Sequence, residues 1–265
     1  MPEGHTIHRL AREHNKLFGR RAVQAVSPQG KFTAGAGLID GLTLELAEAH
    51  GKHLFHRYEP DLFLHVHLGL FGKWRHGEGQ APAPVGQVRL VLQSEDTWGQ
   101  LRGPTTCQVL DRLGRALILA RLGPDPLRAD ADPELAWLRL SRSRVSIAAL
   151  LMAQDVVSGI GNVYRAELLF RHRVPPLLPG RELDHGVWQE MWSDLSTLMR
   201  AGVRSGRIVT TEPADRFRRS GRASREDSHY VYRRHDLPCR ICGTPVARAE
   251  LAARNLYWCP VCQAD

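Results

Sequence analysis

Apolar residues at the start of the chain recur with the spacing of one helix face, and Gly19 closes the pattern. An α-helix completes a turn every 3.6 residues, so this spacing predicts an amphipathic N-terminal helix. The positions that share this face are Ile7, Leu10, Ala11, His14, Leu17 and Phe18.

After Gly19 the pattern changes to short apolar runs separated by Gly, Pro, Asp and Ser. Such runs predict β-strands and indicate a sandwich or a barrel. They lie at 21–26, 42–50, 53–59, 61–70, 87–94 and 106–110. The composition of GEGQAPAPVG at 77–86 predicts a flexible loop.

The second half of the chain changes character again. Proline and aspartate are frequent at 122–133, which predicts a linker, placed at 124–133. We therefore expect an N-terminal β-sandwich domain at 1–123, a helical domain at 134–225 and a small cysteine-bearing domain at 226–265. The expected helices cover 146–157, 162–174 and 187–206, and arginine-rich 216–225 is expected to be a mobile basic loop.

The composition narrows the class of protein. Apolar residues make up 43% and charged residues 24%, which predicts a globular chain. No apolar run is long enough to span a bilayer and the N-terminus lacks a secretory apolar core, so we expect a cytoplasmic protein. The 36 basic and 28 acidic residues give a net charge of +8. This charge favours a nucleic-acid partner, although a basic soluble enzyme would look the same.

Four of the five cysteines form two CxxC pairs separated by sixteen residues. Two such pairs can surround one tetrahedral Zn²⁺, and four sulfur ligands close a structural site. Disulfides are the alternative. Cys107 is expected to be an ordinary buried thiol, and His65 and His67 to pack or hydrogen-bond rather than bind metal. The predicted zinc ligands are Cys239, Cys242, Cys259 and Cys262.

The N-terminus offers a second reactive feature. Proline at position two normally allows removal of Met1, which would give Pro2 a free secondary amine. An α-amine titrates near about 8, so a useful fraction is an uncharged nucleophile at neutral pH. Glu3 beside it could act as acid or base. Many proteins begin Met-Pro-Glu without any such role, so this feature alone is weak.

The run GIGNVYRAELLF at 159–170 places two glycines before a helix, with Asn162 at its start. Asparagine is a good N-cap, and a helix start attracts phosphate through its N–H groups and dipole. The run therefore predicts a phosphate clamp, although glycine turns before helices are common.

Taken together, these motifs resemble the formamidopyrimidine-DNA glycosylase/endonuclease VIII family along essentially the whole chain. The shared runs are MPEG at the start, GKHLF at 51–55, HLGLFGKW at 67–74, LRGP at 101–104, LGPDPL at 122–127, QDVVSGIGNVYRAELLF at 154–170 and RNLYWCPVCQ at 254–263. The start and the LFG run look more like the endonuclease VIII branch.

The resemblance implies a role for each matching position. Pro2 matches the nucleophile that attacks C1′ of the damaged nucleotide, and Glu3 matches the acid that protonates the opening sugar. Lys52, Asn162 and Arg254 match residues that contact phosphates, although Lys52 and Arg254 could instead be ordinary surface cations. The wedge that fills the gap left by the flipped nucleotide matches Leu70 and Phe71, although core packing of a strand end is the alternative for these two.

The resemblance also implies the fold and the reaction. The expected fold class is α+β, with an N-terminal β-sandwich with flanking helices, a helix-two-turn-helix domain and a zinc-finger β-hairpin. DNA is expected between the domains, and base excision is expected to be followed by β,δ-elimination. One structural zinc, damaged DNA as partner and a monomer in the bacterial cytoplasm or nucleoid are also expected.

One departure concerns the residues after Glu3. Many family members carry a second glutamate where this chain has Thr6, and His5 replaces a proline. Residues 204–235 show no clear match to the loop that caps 8-oxoguanine, which favours oxidised pyrimidines. A non-catalytic damage sensor on the same scaffold is the competing interpretation, and an RNA-binding zinc-ribbon protein would explain charge and cysteines only.

Overall fold

The computed structural model describes residues 2–264 and divides into two compact units, Met1–Arg121 and Leu122–Asp265. Met1, whose removal is expected, lies outside the described residues. In the part of the chain that is described, no helix combines the length and the apolar character needed to cross a bilayer.

The first unit is built on two antiparallel sheets that share one core. The five-stranded sheet has the order β1-β3-β4-β5-β9 and the four-stranded sheet the order β2-β7-β8-β6. Their strands are β1 (Arg21–Ala22), β2 (Gln24–Val26), β3 (Thr43–His50), β4 (His53–Tyr58), β5 (Leu62–His67), β6 (Lys73–Glu78), β7 (Val88–Gln93), β8 (Thr97–Arg102) and β9 (Thr106–Leu110). The predicted run at 21–26 is split because the chain passes from one sheet to the other at the buried Val23.

Three helices accompany the sheets: α1 (Gly4–Leu17), α2 (Thr33–Ile39) and α3 (Arg112–Leu119). Helix α1 confirms the N-terminal prediction, because its apolar face is buried in the core through Ile7, Leu10 and Ala11. Helix α3 begins at a capping aspartate, Asp111, whose side chain accepts a hydrogen bond from the Gly114 N–H at 2.7 Å.

The second unit is helical around its own core, with α4 (Pro133–Leu140), α5 (Ile147–Leu150), α6 (Asn162–Arg171) and α7 (His185–Ser205). Asp184 caps the start of α7, and Gly206 ends it in the left-handed conformation that glycine adopts readily. Helix α6 is buried along almost its whole length and forms the centre of this unit. The segment 122–133 belongs to this unit, where Asp125 is buried.

The prediction of a helix over 146–157 is wrong in extent, because regular helix covers only α5. Val156 and Val157 lie in turns and are nevertheless buried. The run is apolar because every side is covered, and such a run cannot be assigned from periodicity alone. The next predicted helix ends at Arg171 rather than at 174, ahead of two consecutive prolines that disfavour helix.

The last forty residues hold the hairpin of β10 (Ala247–Leu251) and β11 (Arg254–Trp258), with the cysteines on either side. This module packs on α6 through Ala166, Phe170, Val231 and Val246. The buried carboxylate of Glu167 strengthens the connection, since it accepts hydrogen bonds from three successive backbone N–H groups at 2.7–2.9 Å. The α+β fold class with a sandwich, helices and a zinc-finger hairpin is thus confirmed.

Candidate active site

Pro2 and Glu3 precede α1 directly. Glu3 is the N-cap residue of the helix and is fully buried, although its side chain makes no capping hydrogen bond. Pro2 is half-buried. Glu3 thus places a carboxyl group removed from water next to Pro2 in the chain, and the catalytic roles of both residues stay predictions.

His5 and Thr6 occupy the positions at which the sequence departs from the family. His5 is buried, and its Nε2 lies 3.2 Å from the Thr6 hydroxyl. Burial lowers the pKa of His5 to about 4. The imidazole is therefore neutral at pH 7 and offers hydrogen bonds rather than charge.

The direction of α1 over the sheet shows where its start lies. Near the C-terminal end of α1, the Arg20 N–H donates to the Leu44 carbonyl at 2.6 Å. One turn earlier, the Asn15 side chain exchanges two hydrogen bonds with the Ala47 backbone, at 2.7 and 2.8 Å. Moving toward the start of α1 therefore means moving along β3 toward the 51–52 turn. From Asn15 to the start of α1 is about 16 Å along the helix, and from Ala47 to the 51–52 turn is about 13 Å along β3. The similar lengths indicate that the start of α1 and the turn lie at the same end of the sheet.

Lys52 lies in the two-residue turn between β3 and β4. Gly51 has φ +56°, which a hairpin turn of this length takes readily from glycine. At the base of the turn His53 pairs with His67 of β5. Burial lowers the pKa of His67, and the positive charge of Lys52 lowers it further.

Leu70 and Phe71 lie in the loop 68–72, which follows β5 at the same edge of the sheet. Phe71 is 87% exposed and Leu70 41% exposed. Two hydrogen bonds from backbone N–H groups shape the loop: the Gly69 N–H donates to His67 Nδ1 at 3.2 Å, and the Gly72 N–H donates to the Leu68 carbonyl at 3.0 Å. The predicted strand at 61–70 therefore stops at His67, and neither Leu70 nor Phe71 is a core residue of a strand.

Glycine is required at position 69 of this loop. Its φ is +65°, and a Cβ atom would lie 1.9 Å from the Thr105 hydroxyl oxygen. The loop therefore presents its two apolar side chains on a backbone that no other residue could form without rearrangement.

Asn162 is the first residue of α6, and Gly161, not Asn162, is the N-cap. The Asn162 amide instead donates to the backbone carbonyl of Asn255 at 2.9 Å and accepts a hydrogen bond from Arg165. Arg165, fully buried, donates to the same carbonyl at 3.0 Å. The start of α6 is thereby fixed to β11, and the phosphate role of Asn162 stays a prediction.

Arg254 is exposed and begins β11, next to Asn255. The turn before it has Ala252 at φ +51° and Ala253 at φ +57°. Both values lie in the left-handed region that costs an L-residue with a Cβ roughly 1–2 kcal/mol. The structure therefore brings Arg254 and Asn162 together on the second unit, with Asn255 between them.

The four cysteines of the CxxC pairs converge, and their sulfur atoms lie within 4.8 Å of one another. Cys239 Sγ lies 3.9 Å from Cys262 Sγ, and Cys242 Sγ lies 3.4 Å from Cys259 Sγ. A disulfide needs about 2.05 Å, whereas a tetrahedral zinc with Zn–S bonds of about 2.3 Å separates its sulfurs by about 3.8 Å. The four cysteine sulfurs fit a structural zinc ion. Among residues 2–264, they are the cluster of side chains that could bind a metal.

The remaining cysteine and histidines have other partners. Burial raises the pKa of the Cys107 thiol to about 12, so it is unreactive at neutral pH. His65 lies 2.8 Å from His53 and 3.1 Å from the Gln108 amide, within a hydrogen-bonded cluster under the 51–52 turn.

Sequence reasoning missed the carboxylate that organises the basic segment 216–225. Buried Asp227 accepts hydrogen bonds from the backbone N–H groups of Phe217 and Arg218 and pairs with Arg240 at 3.3 Å. The Arg240 guanidinium also lies over the Phe217 ring, 5.1 Å from its centre. Two adjacent acids, Glu226 and Asp227, directly after a segment with five arginines are the signal that could have suggested this anchor.

Three family profiles match the chain. They are described as the formamidopyrimidine-DNA glycosylase N-terminal domain at residues 1–103, the formamidopyrimidine-DNA glycosylase H2TH domain at 122–213 and a zinc finger found in FPG and IleRS at 236–264. The matched segments include all the predicted site residues.

Similar whole proteins agree with the profiles. The chain is 47% identical to "Endonuclease 8 1" of Mycobacterium bovis, covering 99% of this chain and 100% of that protein. It is 29% identical to a formamidopyrimidine-DNA glycosylase of Thermus thermophilus, covering 100% and 98%. Its fold matches Lactococcus lactis Fpg bound to DNA containing an abasic site (TM-score 0.79, 22% identity, 99% and 100% covered). It also matches MutM bound to DNA containing carbocyclic 8-oxo-G (TM-score 0.80, 20% identity, all of both chains).

Proposed function

This chain belongs to the formamidopyrimidine-DNA glycosylase/endonuclease VIII family and is a DNA glycosylase of base excision repair, and we propose that it removes oxidised pyrimidines and cuts the abasic strand through an imine at Pro2. What supports the proposal is the start of α1, with half-buried Pro2 and buried Glu3, together with the hydrogen bonds that align α1 with β3 so that this start points toward the 51–52 turn.

The reaction begins at the Pro2 amine. Its nitrogen attacks C1′, the bond from C1′ to the base breaks, and the base leaves with a proton. Glu3 protonates the sugar ring oxygen as the ring opens, which leaves a positively charged imine (an iminium ion) between the secondary amine of Pro2 and C1′. The imine acidifies the C2′ proton, so its removal expels the 3′ phosphate, and a second elimination expels the 5′ phosphate. Water then hydrolyses the imine and regenerates the amine.

Cations and the wedge prepare the substrate for this step. Lys52, Asn162 and Arg254 contact phosphates around the lesion, which positions the strand without reading its sequence. A base inside the stack hides C1′, so the nucleotide must be flipped out at a cost of a few kcal/mol. Leu70 and Phe71 offset this cost by stacking on the neighbours left behind. The exposure of Phe71 supports this role, because a side chain packed in the core would be buried.

Zinc has a structural part in the proposal. Held by the four cysteines, one ion would fix the module that carries Arg254, and it would supply no step of the reaction. The same chemistry needs one copy of the chain only, so we propose a monomer acting on chromosomal DNA in bacterial cells.

The preference for oxidised pyrimidines rests on two observations. The identity to a protein named endonuclease 8 is much higher than the identity to a formamidopyrimidine-DNA glycosylase. Thr6 and neutral His5 also give the active-site end of α1 a different polar lining from a second glutamate. Single-turnover excision on matched duplexes, carrying either an oxidised pyrimidine or 8-oxoguanine, tests the preference. Faster excision of 8-oxoguanine would reverse it.

The competing function is a damage sensor without catalysis, which borohydride would not trap on DNA. For the enzyme, borohydride should give a covalent complex with DNA that has an abasic site. An N-terminal extension that blocks Pro2 should abolish trapping while leaving DNA binding measurable. Binding without trapping by the unblocked protein would favour the sensor. Trapping by the blocked protein would move the nucleophile to another amine, with Lys52 the first candidate.

A further inference from the structure

Three histidines join α1 to both sheets of the first unit. His14 Nδ1 lies 2.6 Å from Nε2 of His56 on β4, in the five-stranded sheet. His14 Nε2 lies 2.7 Å from Nε2 of His76 on β6, in the four-stranded sheet. His14 and His56 are fully buried and His76 is half-buried. We call this arrangement the histidine chain.

The histidine chain imposes a definite order of hydrogen atoms. A neutral imidazole has one N–H donor and one acceptor nitrogen. With partners on both nitrogens, neutral His14 donates to one neighbour and accepts from the other, so the three rings adopt matched tautomers. A change of tautomer or charge at His56 or His76 therefore changes which hydrogen bond His14 donates and which it accepts.

The surroundings hold the rings neutral and in place. Burial lowers the pKa of all three, to about 3 for His56 and about 4 for His76. The Trp74 ring meets the edge of His14 at 4.7 Å and stacks on His76 at 6.0 Å with an interplanar angle of 7°. The histidine chain therefore has both the neutral protonation state and the packing against Trp74 that its two short hydrogen bonds require.

Pro2 and Glu3 directly precede α1, so the position of this helix along its axis sets the position of both residues. Apolar packing through Ile7 and Leu10 is not directional, so it resists sliding of the helix only weakly. His14 and the neighbouring Asn15, with its two bonds to Ala47, are polar anchors of this helix, about 15 Å from its first residue.

We propose that His14 is a positioning residue for imine formation: by bonding to one histidine of each sheet, it fixes the axial position of α1 and with it Pro2 and Glu3. The inference rests on the proposed function of Pro2. A helix is a stiff rod, so a shift permitted at His14 reaches the nucleophile undiminished. Misplacement of a reacting group by about 1 Å can cost roughly 100-fold in rate.

The test compares His14→Leu with Leu10→Ala. Both remove buried contacts of α1 and should lower Tm, but only the first removes the directional bonds. Borohydride trapping is measured in single turnover with saturating abasic-site DNA, well below the Tm of each variant, and the Kd for DNA is measured separately. We expect trapping by His14→Leu to slow roughly 10- to 100-fold with unchanged Kd, and Leu10→Ala to trap at the wild-type rate.

Trapping by folded His14→Leu at the wild-type rate would overturn the proposal, as would an equal loss in Leu10→Ala. Should His14→Leu fail to fold, His76→Phe decides, because it keeps a ring against Trp74 and removes one bond of the chain. Slower trapping by this variant supports positioning, and an unchanged rate refutes it. Absence of trapping in the wild type would instead refute the proposed function of Pro2, a separate and recognisable result.

Discussion

Truncating Leu70 and Phe71 to alanine separates a role in DNA from a role in folding. Phe71 is 87% exposed and Leu70 41% exposed, and the hydrogen bonds that shape the loop 68–72 involve neither side chain. Exposed side chains contribute little to folding, so the free energy of unfolding should change by at most about 1 kcal/mol.

The effect on excision should be much larger. Stacking of a base on an aromatic side chain contributes about 1–3 kcal/mol, and each 1.4 kcal/mol is about a factor of ten. Excision of a paired damaged base should therefore slow about 5- to 150-fold in the double variant. In single-stranded DNA little stacking has to be broken, so the same lesion should be excised at nearly the wild-type rate.

The assay is single-turnover excision with enzyme in excess, on one lesion presented in duplex and in single-stranded DNA. Leu113→Ala is a matched control, because Leu113 is also an exposed leucine but lies just after the Leu110 end of β9. The loop 68–72 adjoins the opposite end of β9, where Thr106 pairs with His67. Equal losses on both substrates, or a large fall in Tm, would show that Leu70 and Phe71 are packing residues and refute the wedge.

Four further predictions test other parts of the structure. Cys259→Ser should lose zinc by metal analysis and weaken DNA binding while the first unit stays folded, and zinc-free protein with full activity would contradict this. Because burial lowers the pKa of His56 to about 3, the unfolded state binds more protons below pH 6.5 and stability should fall as the pH drops from 6.5 toward 3, by about 2 kcal/mol at pH 5 from this group. Unfolding curves from pH 7 to 5 check this, and an equally steep loss in His56→Leu would assign it to other groups. Lys52→Ala should weaken binding to damaged and undamaged DNA alike and lower the slope of log K against log salt by about one, whereas a loss confined to damaged DNA would mean lesion recognition. Ala253→Gly should relieve about 1 kcal/mol of left-handed strain and raise the Tm of the second unit, and a lower Tm would show that the turn is not strained.

Local patterns predicted helix α1 and most strands. Helix α1 was predicted because its buried face recurs at helical spacing, and most strands were predicted as short apolar runs bounded by turn residues. Strand β8 escaped notice because it is central in its sheet and almost wholly buried, yet contains Gln100, whose amide donates to the Pro82 carbonyl at 2.8 Å. A buried polar residue that is satisfied by a distant loop gives no local signal.

Some residues of the candidate site could also be predicted from local sequence and others could not. The spacing of the cysteines was sufficient to predict a zinc site, because each CxxC pair by itself places two sulfurs close together. The histidine chain joins positions 42 and 62 residues apart, and Glu167 binds backbone groups more than 60 residues away. Such contacts depend on the packing of elements, and a single sequence contains no repeating pattern that would reveal them.

The covalent link that we propose between the Pro2 nitrogen and DNA can be located directly. Borohydride-reduced complexes with abasic-site DNA can be digested with protease and nuclease, and the modified peptide sequenced by mass spectrometry. We expect the added sugar fragment on the N-terminal peptide, at the nitrogen of Pro2 in protein lacking Met1. A fragment attached to Lys52, or to any other side chain, would contradict it.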